Sequence, residues 1–439
     1  MSHSFSRRGM LKSAGALAAG AALPKWFLEE TLDAAEPKPP TSANDKPNIA
    51  LIGCGGRGRA DIHDASKFGN VVALCDVDDH HSAGAAIDFP GAKTYHDFRK
   101  VMDRNDIHVV LTCTPDHWHT LVNLHALKAG KDIYSEKPLT LTIDEGKHLV
   151  AAVAKTGRIL QVGSQQRSDP HFRLACELVR NGRLGKLQEV QVVLPRGHRE
   201  GPFATQPVPE GFDYEFWEGQ APEQPYCPQR THTTFRFWYD YSGGTVTDWG
   251  AHHNDIARWG IGQDGPISVE GKPLSEPIPG GYTAIADYAI TYEWADGIKS
   301  TCLSTKGDQW TGGAEKNSQN ELHNGVTFKG ADGWIFVTRG KLEASKPEIL
   351  KDPLPSNAIR LYESNNHMGN FFDCIRTRKQ PIATAEVGHR SVTVCHLGNL
   401  SMRMGRKLNW DPKAERFVND ADADKWLSRE MRKPWSIDV

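Results

Sequence analysis

The chain has 439 residues, 38% of them hydrophobic and 24% charged, with a net charge of −2 at neutral pH. That length allows two domains with separate cores, and the near-neutral balance excludes a basic face for nucleic acid or acidic lipid. No apolar run approaches the roughly 20 residues that a membrane span requires.

The first signal along the chain concerns export. Ser6-Arg7-Arg8-Gly9-Met10-Leu11-Lys12 is similar to the twin-arginine motif and leads into a weakly apolar Ala/Gly/Leu segment ending at Leu23. It predicts a signal peptide over 1–34, with small residues for cleavage at Ala19-Gly20-Ala21 or near Leu32-Asp33-Ala34, and a Pro-rich linker over 35–46. The implied partner is the twin-arginine export machinery, and the implied destination is periplasmic or extracytoplasmic. That route carries folded proteins, so eight cysteines without a C-x-x-C pair read as reduced packing residues, not a disulfide framework or zinc site.

A short apolar run then ends in Gly53-Cys54-Gly55-Gly56-Arg57-Gly58 and is followed by the helical pattern RADIHDASKF. In G-x-G-x-x-G, Gly53 allows the tight turn, Gly55 lets the backbone approach a pyrophosphate, and Gly58 lets helix and strand pack closely. A second strand, VVALC, ends in Asp76, eighteen residues past Gly58. A carboxylate there binds the adenosine ribose hydroxyls and repels a 2′-phosphate, which favours NAD over NADP. The alternation continues through HVVLTC (108–113), Thr114-Pro115, a helix ending before Gly130, the strand DIYS and Glu136-Lys137-Pro138. A capping box, Thr142-x-x-Glu145, opens the next helix, and RILQVG (158–163) is a further strand. This predicts an α/β fold with a parallel, doubly wound dinucleotide-binding domain over 47–168, its ligands at the carboxyl ends of the strands. Gly53, Asp76, Thr114 and Glu136-Lys137 all fall at such ends. Lys137, facing a nicotinamide, is placed to hold a substrate hydroxyl, while His117 and His119 either line the cofactor cleft or cap and pack.

From 169 to 439 the texture changes to β-forming segments bounded by turns, which predicts an α+β domain with a large, mostly antiparallel open sheet. Between roughly Gly197 and Arg236 lies a long Pro- and aromatic-rich stretch without periodicity, expected to be a substrate-cleft wall or an intersubunit arm. Next comes GGTVTDWGAHHNDIARWGIG, from Gly243 to Gly262. If it is helical from about Asp248, then Asp248, His252, Asp255 and Trp259 share one stripe and His253 points elsewhere. An Asp–His pair of this spacing suits proton transfer, the carboxylate fixing the imidazole tautomer. The spacing also suits a metal, but the chemistry requires none.

Taken together, GCGGRG, TP, EKP and GGxxxDxGxHxxD resemble the glucose–fructose oxidoreductase, inositol dehydrogenase and rhizopine-catabolism (Gfo/Idh/MocA) family over residues 47–415. The resemblance implies a Rossmann domain followed by an α/β domain whose open sheet commonly makes subunit contacts, hence a homo-oligomer. It assigns Lys137 to substrate and cofactor ribose, and Asp248 and His252 to substrate binding and acid/base catalysis. It adds Thr114, Pro115 and Glu136 as cofactor contacts and places Gln165, Gln166 and Arg167 where cofactor- or substrate-facing side chains are common, with Gln165 expected at the cofactor, Arg167 at the substrate and Phe172 where a substrate tyrosine is usual. Gly56 and Arg57 of the loop and His119 are further candidate cofactor contacts. The implied reaction is oxidation of a secondary hydroxyl of a sugar, polyol or glycoside, with His252 taking the proton and Lys137 stabilising the alkoxide. Outside the cytoplasm no soluble NAD pool exists, so the cofactor is expected to stay bound and be recycled in place. A redox-neutral NAD-dependent glycosidase working through a 3-keto sugar is the alternative enzyme, and a non-catalytic sugar-binding protein or scaffold the alternative class.

Overall fold

The computed structural model describes residues 23–31, 46–309 and 324–438; the twin-arginine motif, both candidate cleavage points and almost all of the linker lie outside the described residues. The first sheet contains β1 (Asn48–Ile52), β2 (Asn70–Cys75), β3 (Lys93–Tyr95), β4 (Val109–Thr112), β5 (Asp132–Ser135) and β6 (Leu160–Val162). All are parallel, in the order β3-β2-β1-β4-β5-β6, the doubly wound order that binds dinucleotides. The central strands β4 and β5 are buried along their whole length, because helices cover both faces of a parallel sheet. The capping box at Thr142 is half made. Thr142 accepts from Glu145 N at 3.3 Å, but the Glu145 carboxylate turns to Leu141 N and the Thr120 hydroxyl.

The second sheet has nine strands: β7 (Leu187–Arg196), β8 (Ser268–Pro273), β9 (Tyr288–Glu293), β10 (Lys299–Gln309), β11 (Gly325–Gly330), β12 (Gly333–Thr338), β13 (Lys341–Ala344), β14 (Leu408–Asp411) and β15 (Arg416–Phe417). They run in the order β13-β12-β11-β7-β10-β9-β8-β14-β15. Among the described residues only the central β7–β10 pair is parallel, so the sheet is mostly antiparallel. Helices Pro170–Arg180, Gly250–Ile261 and Ala385–Met404 bury one face of it over a core that includes Tyr288, Tyr292, Trp294 and Phe328.

Two segments cross between regions. The helix His367–Thr377 leaves the second domain and packs Met368, Phe371 and Phe372 against Ile49, Leu51, Val109 and Leu111 of the first sheet. The crossing is pinned where Gln161 donates to His367 O at 2.7 Å and pairs with Thr384. The helix Lys25–Thr31 docks on the second domain with Phe27 only 1% exposed. The Arg173 guanidinium lies 4.5 Å over the Phe27 ring, Trp26 donates to Leu350 O at 2.9 Å, and Arg360 pairs with Glu30. No helix among the described residues is long and apolar enough to cross a membrane.

Candidate active site

The glycine loop joins β1 to the helix Gly56–Ala65. Gly53 sits at φ +92°, where a Cβ would lie 2.5 Å from Cys113 O, and a Cβ on Gly58 would lie 1.9 Å from Gly53 O. These two positions have no room for a side chain. At Gly55 the nearest atom to a Cβ is His81 Cε1 at 3.6 Å, and at Gly56 nothing lies within 4 Å, which leaves the loop's outer surface open for a pyrophosphate at the helix N-terminus. Asp76, at the end of β2, accepts from Cys54 N at 2.6 Å and Asp78 N at 2.9 Å. Its carboxylate is thereby fixed beside the loop at the position of a ribose-binding acid.

Arg57 projects from the loop onto two carboxylates, with Nε 3.1 Å from both Asp61 Oδ2 and Glu136 Oε1. Burial and the neighbouring Glu136 push the Asp61 carboxyl well above its usual range. Burial also acts to raise Glu136, but Arg57 and Lys137 outweigh it and hold Glu136 below the ordinary glutamate value. Gln165 adds a hydrogen bond to Glu136 at 2.8 Å. Thr114 and Pro115 lead into the helix Asp116–Lys128, and Thr114 Oγ1 is buried with no hydrogen-bond partner among the described residues. His119 proves to be a brace: its two ring nitrogens are bonded to Thr114 O at 2.9 Å and Pro138 O at 2.7 Å, while the ring borders the cavity. His117 packs inward against Trp217 O, and burial lowers its pKa to about 3.

Lys137 reaches across to the second domain and donates to Asp248 Oδ1 at 2.6 Å and Asp248 O at 2.9 Å. Arg236 Nε donates to the same Oδ1 at 3.2 Å. Burial alone would raise Asp248, but the two cations overcome it and hold the carboxyl well below the usual range. The expected Asp248–His252 partnership is therefore corrected. The helical turn Thr245–Asp248 and the helix Gly250–Ile261 are separate elements meeting at Trp249. Asp248 serves Lys137 and Arg236, and His252 Nδ1 is buried with no hydrogen-bond partner among the described residues. Burial, then Lys137 and Arg339, hold the His252 pKa well below its ordinary value, so the ring is neutral at neutral pH. His253 does point elsewhere, bonding Asn324 and stacking on Trp249.

Arg167 is also corrected. It is buried, with two 2.7 Å hydrogen bonds to Asp255 and its guanidinium 4.7 Å over Trp259, away from the cavity lining. The cause is the tight turn Gln165–Ser168, which rotates successive side chains by about a third of a circle. Gln165 meets Glu136, Gln166 meets the cavity, and Arg167 meets the helix behind. With its amide oriented to satisfy both ends, Gln166 donates to His252 O and accepts from Arg339 Nε, each at 3.2 Å. Phe172 is fully buried in the second core.

One cavity of about 730 Å³ runs from the glycine loop and Asp76 past Thr114 to Lys137, Asp248 and His252. Its other wall is the stretch 203–242, through Phe212, Phe216, His232 and Arg236. The expected cleft wall thus faces the cofactor end as well as the substrate end. Asp116, His232, Arg236 and Arg339 were not legible as site residues. Arg236 and His232 sit in the aperiodic stretch, and Arg339 follows β12 some 90 positions beyond Asp248. At the ribose end Asp78, His81 and His232 bring three ligand-type atoms within 4.8 Å of one another. The two glycines that admit no Cβ, the open backbone at Gly55, the fixed Asp76 and the unpartnered Thr114 hydroxyl all fit a dinucleotide.

Comparison with known proteins agrees. Residues 47–164 match the Gfo/Idh/MocA profile described as an oxidoreductase family NAD-binding Rossmann fold, and residues 197–437 match its C-terminal alpha/beta domain. The NAD⁺-dependent scyllo-inositol 2-dehydrogenase of Bacillus subtilis is 26% identical over 325 residues, 72% of this chain and 81% of that protein. Inositol 2-dehydrogenase 2 of Saccharopolyspora erythraea is 28% identical over 49% of this chain, and the match spans about half (54%) of that relative. An α-N-acetylgalactosaminidase of Shewanella oneidensis is 24% identical over 42% of this chain and 45% of its own length. Among solved structures, levoglucosan dehydrogenase with NADH and levoglucosan superposes with a TM-score of 0.61 at 18% identity, over 83% of this chain and 99% of that one. The chain therefore belongs to the Gfo/Idh/MocA family of NAD-binding oxidoreductases.

Proposed function

We propose that this enzyme reversibly oxidises a secondary hydroxyl of a sugar, polyol or glycoside and keeps its NAD bound, recycling it in place. The observation that carries this reading is the convergence of Lys137, Asp248 and His252 at the far end of the cavity that begins at the glycine loop. Ionised Asp248 takes two of the ammonium N–H bonds of Lys137, which aims the remaining donor at a substrate oxygen. His252, neutral because burial and its cationic neighbours disfavour protonation, accepts the hydroxyl proton. Lys137 and Arg236 then stabilise the alkoxide that forms. NAD, when bound, supplies the acceptor for the carbinol hydrogen and its electron pair. Asp76 supports NAD over NADP at the ribose.

The carbohydrate substrate class is supported by the inositol and levoglucosan dehydrogenases it resembles. The likeness to an α-N-acetylgalactosaminidase favours a second reading, a redox-neutral glycosidase in which the same residues oxidise the sugar transiently. Export to the periplasm is supported by Ser6-Arg7-Arg8, with loading of NAD during cytoplasmic folding. Burial of Phe27 supports processing near Ala19–Ala21, which keeps the docked helix. The open nine-stranded sheet supports a homo-oligomer.

The test is turnover of a sugar, polyol and aryl-glycoside panel by protein purified with its own cofactor. Lys137→Ala and His252→Ala should each abolish turnover while dinucleotide stays bound. Full activity in either variant overturns the mechanism, and aglycone release without net NADH selects the glycosidase.

A further inference from the structure

The wall over the adenosine half of the cavity is not part of the dinucleotide-binding domain. It is the stretch 203–242 of the second domain, laid across the edge of the first. Backbone pairing fixes it there: Asp79 N donates to Gly211 O at 2.8 Å, Asp213 N donates to Val77 O at 2.9 Å, and Asp78 bridges Phe212. These contacts lie within three residues of Asp76, the ribose-binding position. Farther along, Trp118 Nε1 donates to Trp217 O at 2.8 Å. A Cβ on Gly219, which sits at φ +52°, would fall 2.1 Å from the Trp118 ring. His232 reaches the cavity at φ +53° and lies 3.5 Å from Asp78. A non-glycine residue held in the left-handed region is costly, and such costs collect where a function needs the geometry.

A second layer lies over the first. Arg432, near the end of the chain, donates from its backbone N to Gln220 O at 3.0 Å and from its side chain to Gly219 O at 2.8 Å and Glu215 O at 3.1 Å. Trp435 stacks on Phe216, 5.7 Å between centroids, and meets Trp118 edge-on at 4.8 Å. Arg99 sits beside this stack, its guanidinium 5.3 Å from the Trp435 ring and 5.6 Å from the Phe216 ring. Phe216 and Trp118 are themselves part of the cavity lining. The tail therefore packs on two aromatic residues of the cavity wall and holds three carbonyls of the stretch 203–242.

We infer that residues 203–242 and the C-terminal tail around Arg432 and Trp435 form a two-layer clasp that retains the dinucleotide, so that cofactor release requires the tail to lift first. The inference rests on the reading that NAD stays bound and names the chain segments responsible. Neither Arg432 nor Trp435 lines the cavity, so the clasp acts on release and not on chemistry.

The experiment uses the full chain purified with its endogenous cofactor and chased with excess ethenoadenine NAD, a fluorescent analogue, while the release of bound dinucleotide is followed. Arg432→Ala and Trp435→Ala should each speed exchange by about tenfold or more, with Trp435→Phe close to wild type and kcat at saturating added NAD unchanged. Circular dichroism and the Tm identify folded variants, and Arg432→Lys provides a milder change should the alanine variant misfold. Exchange within twofold of wild type in the folded variants overturns the clasp, even if wild type holds its cofactor for hours. Conversely, exchange within seconds by wild type defeats the bound-cofactor reading, while the ratio of variant to wild type still decides the clasp.

Discussion

Lys137 and Asp248 belong to different domains, yet their charged atoms meet at 2.6 Å, and that contact joins the cofactor half of the cavity to the substrate half. Asp248 is in turn held by Arg236 at 3.2 Å. The carboxylate is the common anchor of the cations that would face a developing alkoxide.

Asp248→Asn should therefore lower kcat by about 10²- to 10³-fold, since the anchored donors lose their fixed geometry. Dinucleotide content, read by absorbance after denaturation, should stay at the wild-type level. Loss of cofactor together with activity would show that the pair serves folding of the interface instead.

The pH profile follows from His252. Burial and the cations Lys137 and Arg339 depress its pKa well below the ordinary histidine value, so the neutral form that the proposed mechanism needs persists as pH falls through 6.5. Activity should be lost only in more acidic solution, when the ring finally takes a proton. Arg339→Gln removes one of the cations, so the acid limb of kcat should move up towards pH 6.5. A limb that does not move, or moves down, excludes His252 as the group that must be neutral.

The glycine loop offers a paired comparison. A Cβ at Gly58 meets Gly53 O at 1.9 Å, whereas one at Gly56 meets nothing within 4 Å. Gly58→Ala should lose bound dinucleotide and destabilise the protein by about 1–3 kcal/mol, while Gly56→Ala should purify with normal cofactor content. Equal retention by both would mean that the loop repacks without cost.

The N-terminal helix bears on processing. Phe27 is buried and covered by Arg173, so a chain starting at residue 23 should match the full chain in Tm. One starting at residue 35 should melt about 3 °C or more lower, as expected for emptying an aromatic site in a large protein. Under the proposed export and processing, the mass of the mature protein should include residues 25–31.

The cofactor half was readable because its determinants are local. Gly53, Gly58, Asp76 and Glu136-Lys137 are fixed by position within strand–turn–helix units, and each stands where its spacing placed it. The substrate half depends on partners distant in sequence. Helical spacing made Asp248 and His252 neighbours, but Lys137, arriving from 111 residues away, claimed the carboxylate. Arg167 turns away from the cavity while its neighbour Gln166 faces it, because one tight turn decides which adjacent side chains point inward. Arg236, His232 and Arg339 carry no periodic signal, since a loop or a strand end is placed by what it packs on.

The return of the helix His367–Thr377 to the first core makes this a chain whose two halves are threaded through one another. The apolar cover on one face of the first sheet is completed by Met368, Phe371, Phe372 and Cys374 beside its own Ile62, Ala65 and Phe68, so cutting out 47–168 would expose part of that core to water. Any opening of the cleft must also strain this returning crossing, where Gln161 holds His367 O and pairs with Thr384.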